Sequence, residues 1–309
     1  MSRSAYIIRR VLLLIPTLLA IYTLTFLLMH ATPGGPFGQG DKPLPAITLK
    51  RLEEAYGLDE PLWRQYVNYL GNVVQGDFGP SYSSRSRTVT DIISEALPVS
   101  IALGMVSMII ALIVGISLGV IGAIRHNSIL DYISGFVAII GISTPSYVTV
   151  SLLVLIFANT FHLVPTGGWE GVWSTEILIP AFALALYPAA VLARYTRSSM
   201  LDVMTADYVR TARSKGLTEQ SVIVRHAIRN AFLPVMTVAG IILADVITGS
   251  FFVETVYQVP GIGRYFVDSI TSRDYPMILG TVLLFGAIVS VMNLIVDILY
   301  PLLDPRVSQ

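Results

Sequence analysis

Long apolar stretches alternate with polar connections along this chain. The apolar stretches are Val11–Met29, Val99–Ile124, Ile133–Ala158, Ile177–Ala193, Ala231–Phe252 and Met277–Val296. A helix of about 20 apolar residues crosses the hydrocarbon of a bilayer, so the pattern predicts an all-α polytopic membrane protein with six transmembrane helices. The fourth stretch is the shortest, lies between Glu176 and Arg194, and carries Pro180 and Pro188. Length alone leaves it open; charge decides it. Basic residues near span ends collect on the cytoplasmic side. With the N-terminus inside, the inner segments hold Arg3, Arg9, Arg10, Arg125, Arg194, Arg197, Arg210, Arg213, Lys215, Arg225, Arg229 and Arg306, twelve of the twenty basic residues. The outer Asn159–Glu176 loop holds none, and Val253–Pro276 only Arg264 and Arg273. Removing the fourth span breaks this asymmetry, so both termini are expected in the cytoplasm.

The first apolar run is longer than a signal-peptide core, and no small-x-small site follows it; it reads as a retained span. The organisation expected is an N-terminal segment and first helix over 1–29, an extracytoplasmic cap over 30–98, and a core of five transmembrane helices over 99–309 that includes an inner loop at 194–230. Within the cap, helices are predicted from about Thr48 to Tyr56 and from Pro61 to before Gly76. Leu62, Tyr66, Tyr69, Leu70 and Val73 form an apolar stripe on the second. That stripe fits a cap packed at the membrane surface and equally a docking face for an extracytoplasmic partner.

Composition agrees with the membrane reading: 54% of residues are hydrophobic, 13% are charged, and the mean hydropathy is +0.69, where soluble domains carry roughly 25% charged residues. Zero net charge gives no basic face for nucleic acid. No cysteine is present, which excludes disulfides and thiolate chemistry, and His30, His126, His162 and His226 show no metal-ligand spacing.

Within the spans, Ser107, Ala111, Gly115, Gly119 and Ala123 recur every fourth residue. Small residues mark close helix contact in lipid, so this face is expected against another helix. Pro145 frees a backbone carbonyl and predicts a kink in the third span, lining a cavity or serving bundle fit. One acid, Asp245, lies well inside a span, roughly 5 Å from the centre of the fifth helix toward the outside. Such a residue is by default a functional candidate. It either faces the path of a solute and attracts a positive amino terminus, or it pairs locally with a hydroxyl such as Thr248.

The Arg194–Asn230 loop is long for an inner connection and helix-compatible on both sides of Gly216. Tyr208, Val209 and Ala212 precede the glycine at helical spacing, interleaved with Arg210, Arg213 and Lys215; Val222, Ile223, Ala227 and Ile228 follow it. Glycine supplies the left-handed backbone for a sharp helix end. A helix–Gly–helix unit can transmit force from a soluble partner or rest as a basic amphipathic hairpin on anionic lipid.

The segment Asp207-Tyr208-Val209-Arg210-Thr211-Ala212-Arg213-Ser214-Lys215-Gly216-Leu217 resembles the coupling (EAA) loop of binding-protein-dependent ABC permeases, in particular their oligopeptide/dipeptide branch. The likeness continues through Ile8-Arg9-Arg10, Ala31-Thr32-Pro33-Gly34-Gly35-Pro36, Gly76-Asp77-Phe78-Gly79, Thr196-Arg197-Ser198-Ser199-Met200, Pro260-Gly261-Ile262-Gly263, Arg273-Asp274-Tyr275 and Asp304-Pro305-Arg306. The general motif has Glu-Ala-Ala where this chain has Arg210-Thr211-Ala212, so contacts of that Glu are not carried over. Gly216 carries over as the break, and Ala212, Lys215 and Leu217 as the expected ATPase-facing surface.

The resemblance implies a type I importer permease in a bacterial or archaeal plasma membrane. Its implied partners are a second, homologous permease subunit, two cytoplasmic ATPases and an extracytoplasmic peptide-binding protein, with the bilayer around it. The implied cargo is short peptides, oligopeptides favoured, while relatives carry dipeptides, glutathione or nickel chelates. The lysines Lys42, Lys50 and Lys215 follow no glycine, so no Gly-Lys-Ser/Thr phosphate loop is present. The chain is therefore expected to be non-catalytic, with ATP and Mg on the partner subunits and no cofactor of its own. Pro260, Gly261, Gly263 and Phe266 are candidates for an outer gate, or for a plain surface helix. An ion-coupled carrier is disfavoured, since one buried acid and no repeat are seen. An intramembrane protease is disfavoured because each histidine lies at a span edge or in a loop.

Overall fold

The computed structural model describes residues 3–37, 45–84, 86–248 and 251–303. The described residues are helical apart from turns and one isolated bridge between Pro80 and Thr88. The helices are α1 (Arg3–Ala31), α2 (Ala46–Ala55), α3 (Leu62–Val74), α4 (Val89–Ile124), α5 (Ile129–Ser143), α6 (Ser146–Leu153), α7 (Leu178–Met204), α8 (Asp207–Ser214), α9 (Glu219–Ser221), α10 (Arg229–Ile247), α11 (Phe251–Tyr257), α12 (Ile262–Ser272) and α13 (Tyr275–Leu303). Single π-helical turns follow α6 (Val154–Thr160) and α9 (Val222–Ile228). Helices containing α1, α4, α7, α10 and α13 are each long and apolar enough to cross a membrane, and the bent α5–α6 pair passes the same test together, which makes six where that pair is one span.

Two expectations need correction. The third span is not a kinked rod: α5 and the α6 segment meet at 106°. The residue before a proline is pushed out of helical conformation, and Thr144 is extended at φ −93°, ψ 119°. The second span also begins ten residues earlier than its apolar stretch, because α4 starts at Val89 and runs through Pro98. Its first turns are amphipathic, with Val89, Ile92, Ile93 and Ala96 buried and Asp91, Ser94 and Glu95 exposed.

The chain divides into two compact units. The first comprises 1–100 and 260–290. Its core joins Tyr22, Phe26 and Met29 of α1 to Leu279 and Leu283 of α13, covered by Tyr66, Tyr69, Leu70 and Val73 of α3. The stripe predicted on α3 is thus real, except that Leu62 is exposed. Tyr22 donates to the Tyr66 carbonyl at 2.7 Å, which fixes the cap helix to the first span.

The second unit comprises 101–259 and 291–309. Here α7 is central, packed by α5, α6 and α10. The small-residue face of α4 lies against α7, as its spacing predicted. A Cβ added at Gly115 would stand 2.6 Å from the Ala189 carbonyl oxygen, and one at Gly119 would stand 2.6 Å from that of Ala193. Ala138, Ala190 and Ala193 make a similar close contact between α5 and α7.

Candidate functional site

The inner loop is built around a helix end. Gly216 N–H donates to the Arg213 carbonyl at 2.9 Å and Leu217 N–H to the Ala212 carbonyl at 3.4 Å. With Gly216 at φ +74°, these two bonds form the Schellman ending of α8. Arg213 then reaches across the bend: Nη2 lies 2.6 Å from Glu219 Oε1 and Nε 3.2 Å from Oε2. The Glu219 carboxylate holds the Arg213 guanidinium still more firmly protonated than usual. Thr218 caps the next turn, its hydroxyl accepting from Ser221 N–H at 3.4 Å.

One face of this loop is anchored and the other is free. Val209, Ala212 and Val222 are buried together against Val203. Each such aliphatic burial stabilises by roughly 1.5–3 kcal/mol for a Val-sized side chain, enough to hold a short helix that would not persist alone. Ala212 therefore points into the protein, which corrects its place on the expected ATPase-facing surface. Asp207, Tyr208, Arg210, Thr211, Arg213, Lys215, Gly216 and Leu217 are exposed. Beyond the bend, Ala227 and Ala231 pack with Met200 of α7 and Ala123 of α4, and Ser199 Oγ donates to the Ala231 carbonyl at 3.0 Å. Close contacts thus join the loop to three spanning helices, α4, α7 and α10.

The two candidates for a solute path, Asp245 and Pro145, come together. Both line a pocket of about 340 Å3 with Ser143, Thr144, Ser146 and Tyr187. The extended Thr144 opens this pocket at the break between α5 and α6. Asp245 is exposed on its own chain. Thr248 Oγ1 donates to the Asp245 backbone carbonyl at 2.9 Å, not to its carboxylate. Among the described residues the carboxylate has no hydrogen-bond or ion-pair partner, and Thr248 does not supply one.

The outer-gate candidates belong to the first unit. Gly261 precedes α12, and the Ile262 N–H donates to buried Ser100 Oγ at 2.9 Å. Gly261 and Gly263 are buried, Pro260 is exposed, and Phe266 meets Phe285 edge-on at 5.7 Å. At the far end of α12, Arg273 is left-handed at φ 55° and its Nη1 donates to the Pro33 carbonyl at 2.6 Å. Asp274, 1% exposed, accepts from Ser81 Oγ, from Ser83 N–H at 3.1 Å and from Met277 N–H at 3.2 Å. The segment is tied down at both ends rather than lying free on the surface.

One buried cluster had no counterpart in the sequence reading. Asp131 on α5 is 5% exposed and receives Arg197 Nε at 2.6 Å and Nη2 at 2.8 Å. The Asn127 N–H adds a third bond at 3.0 Å, and His126 Nδ1 stands 3.3 Å from the same carboxylate. The partners are 66 residues apart, which leaves no local signal; only the Thr196–Met200 motif marked one of them. Asp297 lies within α13, and Asp304 falls outside the described residues.

Comparison with known proteins matches residues 111–309 to the family described as the binding-protein-dependent transport system inner membrane component. Residues 3–104 match the N-terminal part of the binding-protein-dependent transport system membrane components. The chain belongs to this permease family. The permease is 45% identical over 305 residues to the dipeptide transport system permease protein DppB of Bacillus subtilis, covering 99% of this chain and 98% of the relative. It is 42% identical over 303 residues to the oligopeptide transport system permease protein OppB of Salmonella typhimurium, covering 98% of each. Among solved structures, the inward-facing MetNI methionine ABC transporter aligns with a TM-score of 0.56 at 16% identity, over 69% of this chain and 96% of that one. An amino acid ABC transporter crystallised with histidines aligns at 0.52 and 18% identity, over 70% and 94%. Both support the fold. The permease is a multi-pass inner-membrane protein.

Proposed function

We propose that this chain is the membrane-spanning subunit of an ATP-driven importer of short peptides, oligopeptides favoured and dipeptides compatible. The observation that carries this reading is the α8–Gly216 loop, exposed on one side and locked into α4, α7 and α10 on the other, in a chain matched end to end by dipeptide and oligopeptide permeases. The loop receives a stroke from a pair of cytoplasmic ATPases that hold ATP and Mg. A second, homologous permease subunit completes the path, and an extracytoplasmic binding protein delivers the peptide. This chain does no chemistry itself. ATPase closure drives the spans between two states as rigid bodies. Pro260, Gly261, Gly263 and Phe266 belong to the outer gate, and Asp245 with Pro145 to the path.

Reconstitution with the partner subunits tests this. Uptake of labelled peptides of graded length should require lumenal ATP on the ATPase side and persist when proton and sodium gradients are collapsed. Uptake that follows an ion gradient and ignores the ATPase would reject it.

The pocket beside Pro145 gives a sharper expectation. Asp245 is the acid of that pocket, so an amino terminus gains there what a blocked peptide does not. Asp245→Asn should reduce uptake of free-amine peptides about tenfold, the order of 1.4 kcal/mol, and leave acetylated peptides within about twofold. Equal losses for both would remove Asp245 from amine recognition.

A further inference from the structure

A second pocket, of about 250 Å3, opens in the first unit among the last turn of α1, the α2–α3 connection, the Gly79–Tyr82 segment and the start of α13. Its walls are aromatic. Tyr56 and Tyr82 lie 4.6 Å apart between ring centroids, Tyr82 and Tyr275 6.4 Å, and His30 and Tyr275 5.4 Å. The hydroxyls at its back are committed to the backbone: Tyr69 donates to the Phe78 and Pro276 carbonyls at 3.3 and 3.1 Å, and Tyr275 to that of Met29 at 3.5 Å. Gln65 Nε2 donates to the Leu58 and Glu60 carbonyls at 3.1 and 2.7 Å, which fixes the rim. The pocket is a preformed cage rather than a gap between loose side chains.

Its charge has one sign. Among the described residues the lining contains no lysine or arginine, and its one carboxylate is Glu60. Asn68 Nδ2 donates to Glu60 at 3.1 Å, and the Arg64 guanidinium stands 3.9 Å away on the exposed side. Directly beside Tyr82 in sequence and space is the Ser81–Ser83 turn that grips Asp274. That carboxylate is 1% exposed, and its partners, Ser81, Ser83 N–H and Met277 N–H, are all neutral. A buried carboxylate whose hydrogen-bond partners among the described residues carry no charge projects its field through a low-dielectric surround. Aromatic faces over a negative field attract organic cations and not anions.

We infer that this pocket binds an organic cation, an ammonium or guanidinium group seated among Tyr56, Tyr82 and Tyr275 with Glu60 at the rim. The rings remain neutral phenols there, since burial and then the nearby Asp274 carboxylate push the Tyr82 hydroxyl well above its usual range. The arginine distribution places this face outside the cell. Two sources present such a group on that side. One is the amine or basic side chain of an arriving peptide, which rests on the proposed function; the other is a lysine or arginine of the delivering protein.

Saturation-transfer difference NMR on the assembled transporter in lipid nanodiscs tests the site with choline and its neutral isostere 3,3-dimethylbutan-1-ol. Choline should receive about fivefold more saturation than the isostere, the scale of one exposed cation–π contact. Tyr82→Leu should abolish the difference, and Glu60→Gln, a rim change that disturbs no core packing, should reduce it about twofold. Equal saturation of the two probes overturns the inference in favour of a plain apolar pocket. A choline signal unchanged in both variants overturns it as adventitious. Benzoylphenylalanine in place of Asn72 then reads the source. Capture of an arginine-bearing labelled peptide assigns the cation to the cargo, and capture of the delivery protein assigns it to that partner. Capture of neither overturns a role in transport. Because choline binding needs no peptide flux, its outcome is separable from that of the uptake experiment.

Discussion

Replacing Gly216 by valine is expected to cut peptide uptake by the assembled transporter roughly tenfold while ATP hydrolysis continues. The cause is conformational, not steric. A Cβ at residue 216 meets nothing within 4 Å, but the backbone is at φ +74°. A left-handed residue costs roughly 1–2 kcal/mol for an ordinary L-amino acid and more for a β-branched one, and 1.4 kcal/mol is tenfold in an equilibrium. The α8 ending therefore unwinds, the Arg213–Glu219 clasp loses its geometry, and exposed Lys215 and Leu217 leave their places on the free face. Hydrolysis on the partner subunits does not pass through this bond, so the two activities separate. Asparagine adopts the left-handed conformation far more readily, so Gly216→Asn should retain uptake within about twofold, less than 0.5 kcal/mol. The paired variants distinguish backbone strain from loss of a small residue. Wild-type pumping by the valine variant would remove the loop from the coupling path.

Much of this architecture is legible in the sequence because membrane helices announce themselves by length and apolarity. The α4–α7 contact was legible as well, since a small residue every fourth position has one physical use in lipid. The Schellman bend followed from a glycine between two amphipathic segments. Besides the Asp131–Arg197 cluster, three features escaped, each for a physical reason. Pro145 marks a weak point in the third span, but a kink and a 106° break share that signal. Thr144 closes the last turn of α5 before the break, its N–H and Oγ1 both donating to the Ile140 carbonyl at 2.9 and 2.8 Å. The early start of α4 was hidden because hydropathy ignores an amphipathic entry turn; the helical spacing of Val89, Ile92, Ile93 and Ala96 carries it. Ala212 sits in a motif whose resemblance suggests a contact surface, yet its register with Val209 turns it inward. Sequence spacing gives a face, and only packing tells which way the face looks.

The Asp131–Arg197 pair is the clearest case of tertiary structure overriding local signal, and its loss is expected to be the most damaging stability change in the second unit. Arg197→Met keeps the apolar stem of the side chain but strands a carboxylate that is 5% exposed, with only the Asn127 N–H and His126 left to it. Removing one partner of a buried pair costs about 3 kcal/mol or more; the partial exposure of Arg197 places this case at the lower end. Arg197→Lys should recover less than half of the loss, because an ammonium cannot supply the two parallel bonds that Nε and Nη2 make. Asp131→Leu combined with Arg197→Met should be milder than Arg197→Met alone, since no charge is then stranded. Thermal unfolding of the solubilised permease checks all three, with uptake as the second readout. The α5–α7 contact built on Ala138, Ala190 and Ala193 buries no large side chain, so it has little apolar area with which to offset the loss. If Arg197→Met melted with the wild type, the pair would be holding nothing, and α5 would owe its place to close packing alone.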